Sequence, residues 1–569
     1  MKYLLLTLLF LFFKNPYNPS IAPNYFAPPV KIPIYLAGNF GELRSNHFHS
    51  GIDIKTQGKT GLPVYAAAEG TVTRINISPV GFGLALYIKH PNGYSTVYGH
   101  LSRLRDDMEQ YIKDIQYNRE SFSIDVSVPA GKFNVEKGEL VAYSGNSGSS
   151  GGPHLHFEIR DSATENPINP LLFNFDVKDN TPPKLMSVML YPLSNGANID
   201  GRLNQKPFDL VFYDGEYHLK GNPIITAGGT IGFGLQGLDY LDGSWSKCGI
   251  YEIDLTVNSK LIYSFKMNEL NFGESRYLNS HIDYTYLRNN SRRYHKNWIE
   301  DGNKLNNYPV RENKGKIVIE PGEKYDVAYL VKDVAGNISR LNFALQGKAT
   351  IAPGPQQAGI PVQWDQDLLL KQDDVVANFK AGSFYSNFFL DYKELPTQKD
   401  LYSKRIQLHQ SDVPVHQSYN LRIKAEGLPA DLQSRALIVA IDPKTHKQYS
   451  MGGKYTNGWV EANVRQLGTF AIATDTEAPT ITPINIQNHS TLTDRRKVSF
   501  KLLDNLSGIE SYSGSIDGQW VLFEYDAKNS LLEYSFDAKR LQLGKSHNLK
   551  LTVTDGAGNE SVYEAKFYR

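Results

Sequence analysis

Through most of the chain, apolar and polar residues alternate in short runs, a period of two that predicts strands with one face buried. Gly70–Ile77, Ala85–His90 and Tyr94–Tyr98 read this way, the last two as a hairpin around Pro91-Asn92-Gly93. Pro63–Ala68 and Val141–Ser144 read as further strands. Phe122, Ile124, Val126 and Val128 alternate strictly with Ser123, Asp125 and Ser127, whereas Leu104, Met108, Tyr111, Ile112 and Ile115 keep helical spacing. The expected fold class is mostly β, built of antiparallel sheets, with one helix and one extra strand inserted at about residues 103–128.

A chain of 569 residues is too long for one core, and at about 100–200 residues per domain it divides into several. The composition shifts after Phe175 and an internal repeat begins. Asp179-Asn180-Thr181-Pro182-Pro183 resembles Asp475-Thr476-Glu477-Ala478-Pro479, and Asp333-Val334-Ala335-Gly336-Asn337 resembles Asp555-Gly556-Ala557-Gly558-Asn559. Gly249-Ile250-Tyr251-Glu252 and Gly508-Ile509-Glu510-Ser511 hold matching places between them. Each Asp-x-x-Gly-Asn reads as a tight turn, with Gly and Asn accepting positive φ. The two copies look like immunoglobulin-like β-sandwiches, at residues 178–347 and 476–569. The first is much longer, and its excess is expected as a polar, decorated or partly disordered loop between Asn268 and Gly315. Thr350–Gly359 is a Pro/Gly linker, followed by a β domain of uncertain type at 360–474. Trp364 and Trp459 in that domain are expected in the core rather than against glycan.

Tyrosine (35) and glycine (47) are plentiful and methionine scarce (6), consistent with the β reading. Sixty Lys and Arg balance fifty-nine Asp and Glu, so the net charge of +1 gives no electrostatic footprint for nucleic acid or an anionic membrane. The single cysteine, Cys248, excludes an intrachain disulfide and a Cys-based metal site. Lys2 precedes an apolar run, Tyr3–Phe13, too short for a bilayer span of about 20 residues. It is expected to be the core of a signal peptide over residues 1–22, directing the protein to the periplasm, cell envelope or exterior. No later stretch reaches membrane length.

The candidate chemistry gathers in residues 25–175. In Pro153-His154-Leu155-His156-Phe157-Glu158 the two histidines stand two apart, so on a strand both imidazoles share one face while Leu155 and Phe157 enter the core. Upstream lie His49-Ser50-Gly51-Ile52-Asp53 and Tyr98-Gly99-His100-Leu101. Imidazoles and a carboxylate from separate strands are what a zinc site needs. No phosphate cradle is formed by Gly145–Gly152, because no Lys-Ser/Thr follows and a strand comes next.

His-x-x-x-Asp, then Tyr-Gly-His, then Gly-x-x-Gly-Gly-Pro-His-Leu-His-Phe-Glu resembles the lysostaphin-type (LytM-type) zinc endopeptidases, which cut peptide cross-links in bacterial cell walls. The resemblance covers Pro33 to Phe175. It implies one Zn²⁺ per chain held by His49, Asp53 and His156, with His100 and His154 beside it as catalytic histidines. Three protein ligands leave a fourth position for water. His47 is the alternative to His49, and Glu158 is read as a supporting partner on the face of His154 and His156. The insertion after His100 either pads the sheet edge or walls one end of the groove. The implied function is a peptidoglycan endopeptidase, with the sandwich modules positioning it through a protein or glycan partner. The competing reading is a catalytically silent cell-wall scaffold or regulator of other hydrolases.

Overall fold

The structure is a computed structural model that describes residues 24–355 and 358–569; the apolar run at 3–13 lies outside them. The chain is mostly β. It forms several antiparallel sheets over four main apolar cores, and no helix among the described residues is long and apolar enough to cross a membrane.

The first module contains strands β1 (Leu36–Gly38), β2 (Ile52–Lys55), β3 (Pro63–Tyr65), β4 (Gly70–Ile77), β5 (Leu84–Lys89), β6 (Tyr94–Leu104), β7 (Ile124–Ser127), β8 (Asn134–Val135), β9 (Leu140–Ser144) and β10 (His154–Asp161), with helix α1 (Asp106–Arg119) after β6. The main sheet runs β1-β2-β10-β6-β5-β4-β7, so β10 is inserted between two strands laid down much earlier in the chain. Its composition explains the central place: Leu155, Phe157 and Ile159 are fully buried and anchor the back of the sheet. β6 changes partner along its length. Up to Gly99 it pairs with β10, and from Leu101 with β9. His100 stands at the break with φ 57°, the left-handed bend that lets one strand serve two neighbours.

Helix α1 starts with Asp106, Asp107 and Glu109 in its first turn, favourably placed against the helix dipole, and buries Met108, Ile112 and Gln116. Its outer face receives the fourth module. Tyr117 meets Trp520 edge-on at 5.2 Å, the Arg540 guanidinium lies 3.4 Å from the Tyr117 ring, and Lys113 pairs with Asp537 at 2.8 Å. The insertion is therefore a bracket between modules. No residue of 105–128 lines the cleft described below.

The second module pairs Lys184–Pro192 with the long strand Ile225–Leu238, and Glu252–Val257 with Lys324–Lys332. Its segment 268–315 departs from expectation: it forms short helices at Leu278–His281 and Tyr284–Asn290 and buries Leu278, Ile282, Tyr294 and Ile299. Elements of four to seven residues are too short to print a periodicity. The first two cores also interlock. Phe40, Leu43 and Phe48 of the first module enter the core of the second, while Leu241 and Cys248 of the second enter the core of the first.

The third module stacks two five-stranded sheets. Trp364 and Trp459 are half-buried there, Trp459 beneath the Arg422 guanidinium, so neither reaches the core. The fourth packs a four-stranded and a five-stranded sheet over one core.

Phe48 is 1 % exposed, its ring 6.4 Å from that of Phe265, and its N–H donates to Ser275 Oγ at 2.9 Å. Phe48→Ala is expected to destabilise the first two modules together by about 3–5 kcal/mol. Denaturant unfolding followed by tryptophan fluorescence and circular dichroism checks this, and a loss below about 1 kcal/mol would contradict the shared core.

Candidate metal centre

Register builds the site. In the β2–β10 ladder His156 stands opposite Asp53, and in the β10–β6 ladder it stands opposite Gly99, one residue before His100. Cross-strand neighbours on one face have Cβ atoms about 4.5–5.5 Å apart, so imidazole and carboxylate must meet. His49 arrives from the loop before β2. That loop closes over β10 only because residue 51 is glycine: a Cβ there would lie 2.4 Å from the Phe157 carbonyl oxygen and 3.0 Å from His156 Cε1.

His49 Nε2, His156 Nδ1 and Asp53 Oδ1 form a nearly equilateral triangle. His49 Nε2 is 3.0 Å from each of the other two, and His156 Nδ1 is 2.9 Å from Asp53 Oδ1. Ligand atoms on a tetrahedral zinc ion with bonds of about 2.0–2.1 Å stand roughly 3.3 Å apart, so the donor set and its spacing fit that ion. All three residues are buried. His47, by contrast, is exposed and turns to the Ser45 carbonyl.

Each donor is held from behind. His49 Nδ1 donates to the Asn39 carbonyl at 2.8 Å, and His156 Nε2 donates to Glu158 Oε1 at 3.0 Å. Glu158 is fully buried and also accepts from Ser50 Oγ at 2.5 Å and Arg160 Nε at 2.6 Å. Asp53 Oδ2 accepts from Arg44. Such outer partners fix ring orientation and tune the donors.

The charges respond accordingly. Burial lowers His49 to about 4, so it is neutral and available as a donor. Burial opposes charge on His156 too, but hydrogen bonds to Asp53 and Glu158 outweigh it and lift the ring to about 9. Two imidazoles of one donor set thus shift in opposite directions, because only His156 lies between two carboxylates. His156 would hold a divalent cation through Nδ1 in place of that proton, keeping its Nε2–H bond to Glu158. Burial would raise Glu158, yet Arg160 and His156 bring it down to about 2.

The triangle adjoins a cleft of about 440 Å³ bordered by Arg44, Asp53, His100, Gly152 and His154. His100 Nδ1 donates to the Ser147 carbonyl at 2.9 Å, and His154 Nδ1 to the Gly152 carbonyl at 2.8 Å. In both rings this leaves Nε2 as the free nitrogen. That of His154 is buried without a hydrogen bond, 3.3 Å from Asp53 Oδ1. Burial and the neighbouring imidazoles lower His100 to about 3, keeping it neutral. The Phe82 ring stacks on His156 at 4.8 Å.

The structure therefore brings together all five residues singled out in the sequence. It adds Arg44, Asn39, Ser50, Arg160 and Phe82. Arg160 was legible in principle, since His154, His156, Glu158 and Arg160 form an unbroken polar row on one face of an otherwise apolar strand. The others come from loops and carry no spacing signal.

Residues 47–117 and 123–170 match Peptidase family M23, and residues 360–475 match a Zu5-like domain. An uncharacterized metalloprotease of Haemophilus influenzae is 35% identical over 123 residues, 22% of this chain and 20% of that protein. The DD-carboxypeptidase/endopeptidase Mpg of Neisseria meningitidis is 33% identical over 129 residues, 23% of each chain. The peptidoglycan DD-endopeptidase ShyA of Vibrio cholerae is 29% identical over 139 residues, 24% of this chain and 26% of that protein. The chain thus spans only about a fifth to a quarter of the length of these relatives.

Glu158→Gln preserves shape and removes the charge behind His156. Zinc affinity, measured by competition with a chromogenic chelator, is expected to fall about 10–100-fold with the fold intact. Unchanged affinity would show that Glu158 does not support the donor.

Proposed function

With a domain of Peptidase family M23 occupying the N-terminal region of the chain, we propose that the protein is an exported zinc endopeptidase that hydrolyses peptide cross-links of bacterial peptidoglycan. The observation that carries this reading is a buried triangle of two imidazoles and a carboxylate beside a cleft, with two more imidazoles presenting Nε2 next to it. The names of Mpg and ShyA support the substrate class, and the apolar run after Lys2 supports export.

In this reading His49, Asp53 and His156 hold the ion, which when bound supplies a Lewis acid and lowers the pKa of water toward about 7. His154, fixed through Nδ1, takes up a proton at Nε2 and returns it to the leaving amine. His100, held likewise by Ser147, offers Nε2 beside His154, the two rings 4.8 Å apart, and stabilises charge on the carbonyl oxygen once protonated. The left-handed bend at His100 and the Gly152 carbonyl behind His154 hold both rings in place before substrate arrives, so little reorganisation accompanies the reaction. Gly151 and Gly152 have open space where a Cβ would stand, leaving room for an extended peptide to lie close to the backbone.

With the full chain and purified peptidoglycan, His154→Ala and His100→Ala are each expected to reduce release of peptide fragments by about 10²–10⁴-fold. Metal analysis should still find about one zinc per chain in both variants. Chelation should abolish release and added zinc restore it. Chelator-resistant release, or full activity in both variants, would overturn the assignment.

A further inference from the structure

Two further groups of three carboxylates occur in the chain, Asp179, Asp239 and Asp333 in the second module and Asp475, Asp504 and Asp555 in the fourth. In each group the carboxylate oxygens lie within 4.8 Å of one another. No Lys, Arg or His among the described residues forms an ion pair with any of the six.

The groups are equivalent in topology although the modules differ greatly in length. Asp179 and Asp475 lie in the connectors leading to the first strands, Lys184–Pro192 and Thr480–Pro483. Asp239 and Asp504 each follow the last residue of the strand paired with that first strand, where Lys184 faces Leu238 and Thr480 faces Leu503. Asp333 and Asp555 open the turns of the final hairpins. The Asn337 amide donates to Asp333 Oδ2 at 2.7 Å and to the Asp179 carbonyl at 3.1 Å; Asn559 does the same to Asp555 at 2.8 Å and Asp475 at 3.0 Å.

A second observation separates these groups from ordinary acidic clusters. Asp239 is only 3 % exposed, and its Oδ1 accepts no hydrogen bond. Asp504 Oδ1 is likewise buried and unpartnered. A buried carboxylate oxygen without a donor is costly. Burial, with the neighbouring carboxylates, raises Asp239 to about 8 and Asp179 to about 7, against which only backbone N–H groups act.

We propose that each trio binds a calcium ion. The donors are oxygen only, which selects a hard cation, and they fall inside the roughly 4.6–5.2 Å span of a calcium oxygen shell with bonds of about 2.3–2.6 Å. Magnesium demands a tighter octahedron and retains its waters. The place of each ion assigns its role. Asp239 starts an arm whose Leu241 and Cys248 enter the core of the first module, and Asp504 starts a loop whose Leu506 packs on the apolar cluster Leu401, Leu437 and Val439 of the third. Calcium at the base of each arm fixes a module against the one before it.

The test uses the full chain with zinc loaded. Equilibrium dialysis is expected to find about two calcium ions per wild-type chain, one in Asp239→Asn, one in Asp504→Asn and none in the double variant. Calcium should raise the melting temperature of wild type and not of the double variant, and magnesium at the same concentration should do less. The proposal fails if wild type binds no calcium, if the double variant keeps both ions, or if magnesium protects equally. If a variant does not fold, the wild-type stoichiometry and the calcium-dependent protection of residues 239–248 and 504–508 from proteolysis decide the matter. None of these readouts involves peptidoglycan cleavage.

Discussion

Two imidazole nitrogens and a carboxylate oxygen held about 3 Å apart among buried residues repel one another unless positive charge lies among them, and the architecture of the first module is an arrangement for keeping them there. Register supplies one of the three contacts, since His156 cannot leave Asp53 without breaking the ladder at the centre of the sheet. The other two are made by His49, which comes from a loop and needs outside support. Asn39 holds its ring, Gly51 allows the close approach, and the neighbouring residue Phe48 is anchored in the next module. The loop carrying His49 is therefore tied to an inter-module core, a stronger hold than a surface loop would have.

This dependence runs in both directions. Leu241 and Cys248 cross from the second module into the core beneath β10, while Ser244 Oγ donates to the Leu36 carbonyl at the free edge of β1. The edge strand of the sheet is thereby covered. Chain segments exchanged in this manner blur the line between module and scaffold, and they explain why the second module carries so much more chain than the fourth: its additional helices bury apolar side chains beside Phe48.

The cluster of histidines and Asp53 was largely legible in the sequence because its signals are local. His154 and His156 announce a shared strand face, and His49-x-x-x-Asp53 and Tyr98-Gly99-His100 each fit within one turn or strand. The inserted helix and strand were legible through periodicity, at Leu104 to Ile115 and Phe122 to Val128. What escaped was long-range or aperiodic. Nothing near Arg44 or Asn39 marks them as partners of Asp53 and His49. Cys248 gave no sign of packing in the first module, about a hundred residues before it. The short helices at 278–290 stood in polar sequence, and Trp364 and Trp459, expected inside, lie half-buried, Trp459 beneath the Arg422 guanidinium. The repeated Asp-x-x-Gly-Asn turn was visible; its convergence with two distant aspartates was not.

The fourth module returns to the first. Besides its contacts with helix α1, it places Lys528 Nζ against the carbonyl oxygens of Asn146 and Gly148, at 3.0 Å from the latter, in the Gly/Ser loop leading to His154. The modules thus close into a ring, and a cut in the connector between the second and third would sever the polypeptide without parting it. Translation delivers that closing segment after all the others. The loop leading to His154 is consequently clamped only when synthesis has passed residue 528, so the first of the four modules is the one whose cleft is finished last.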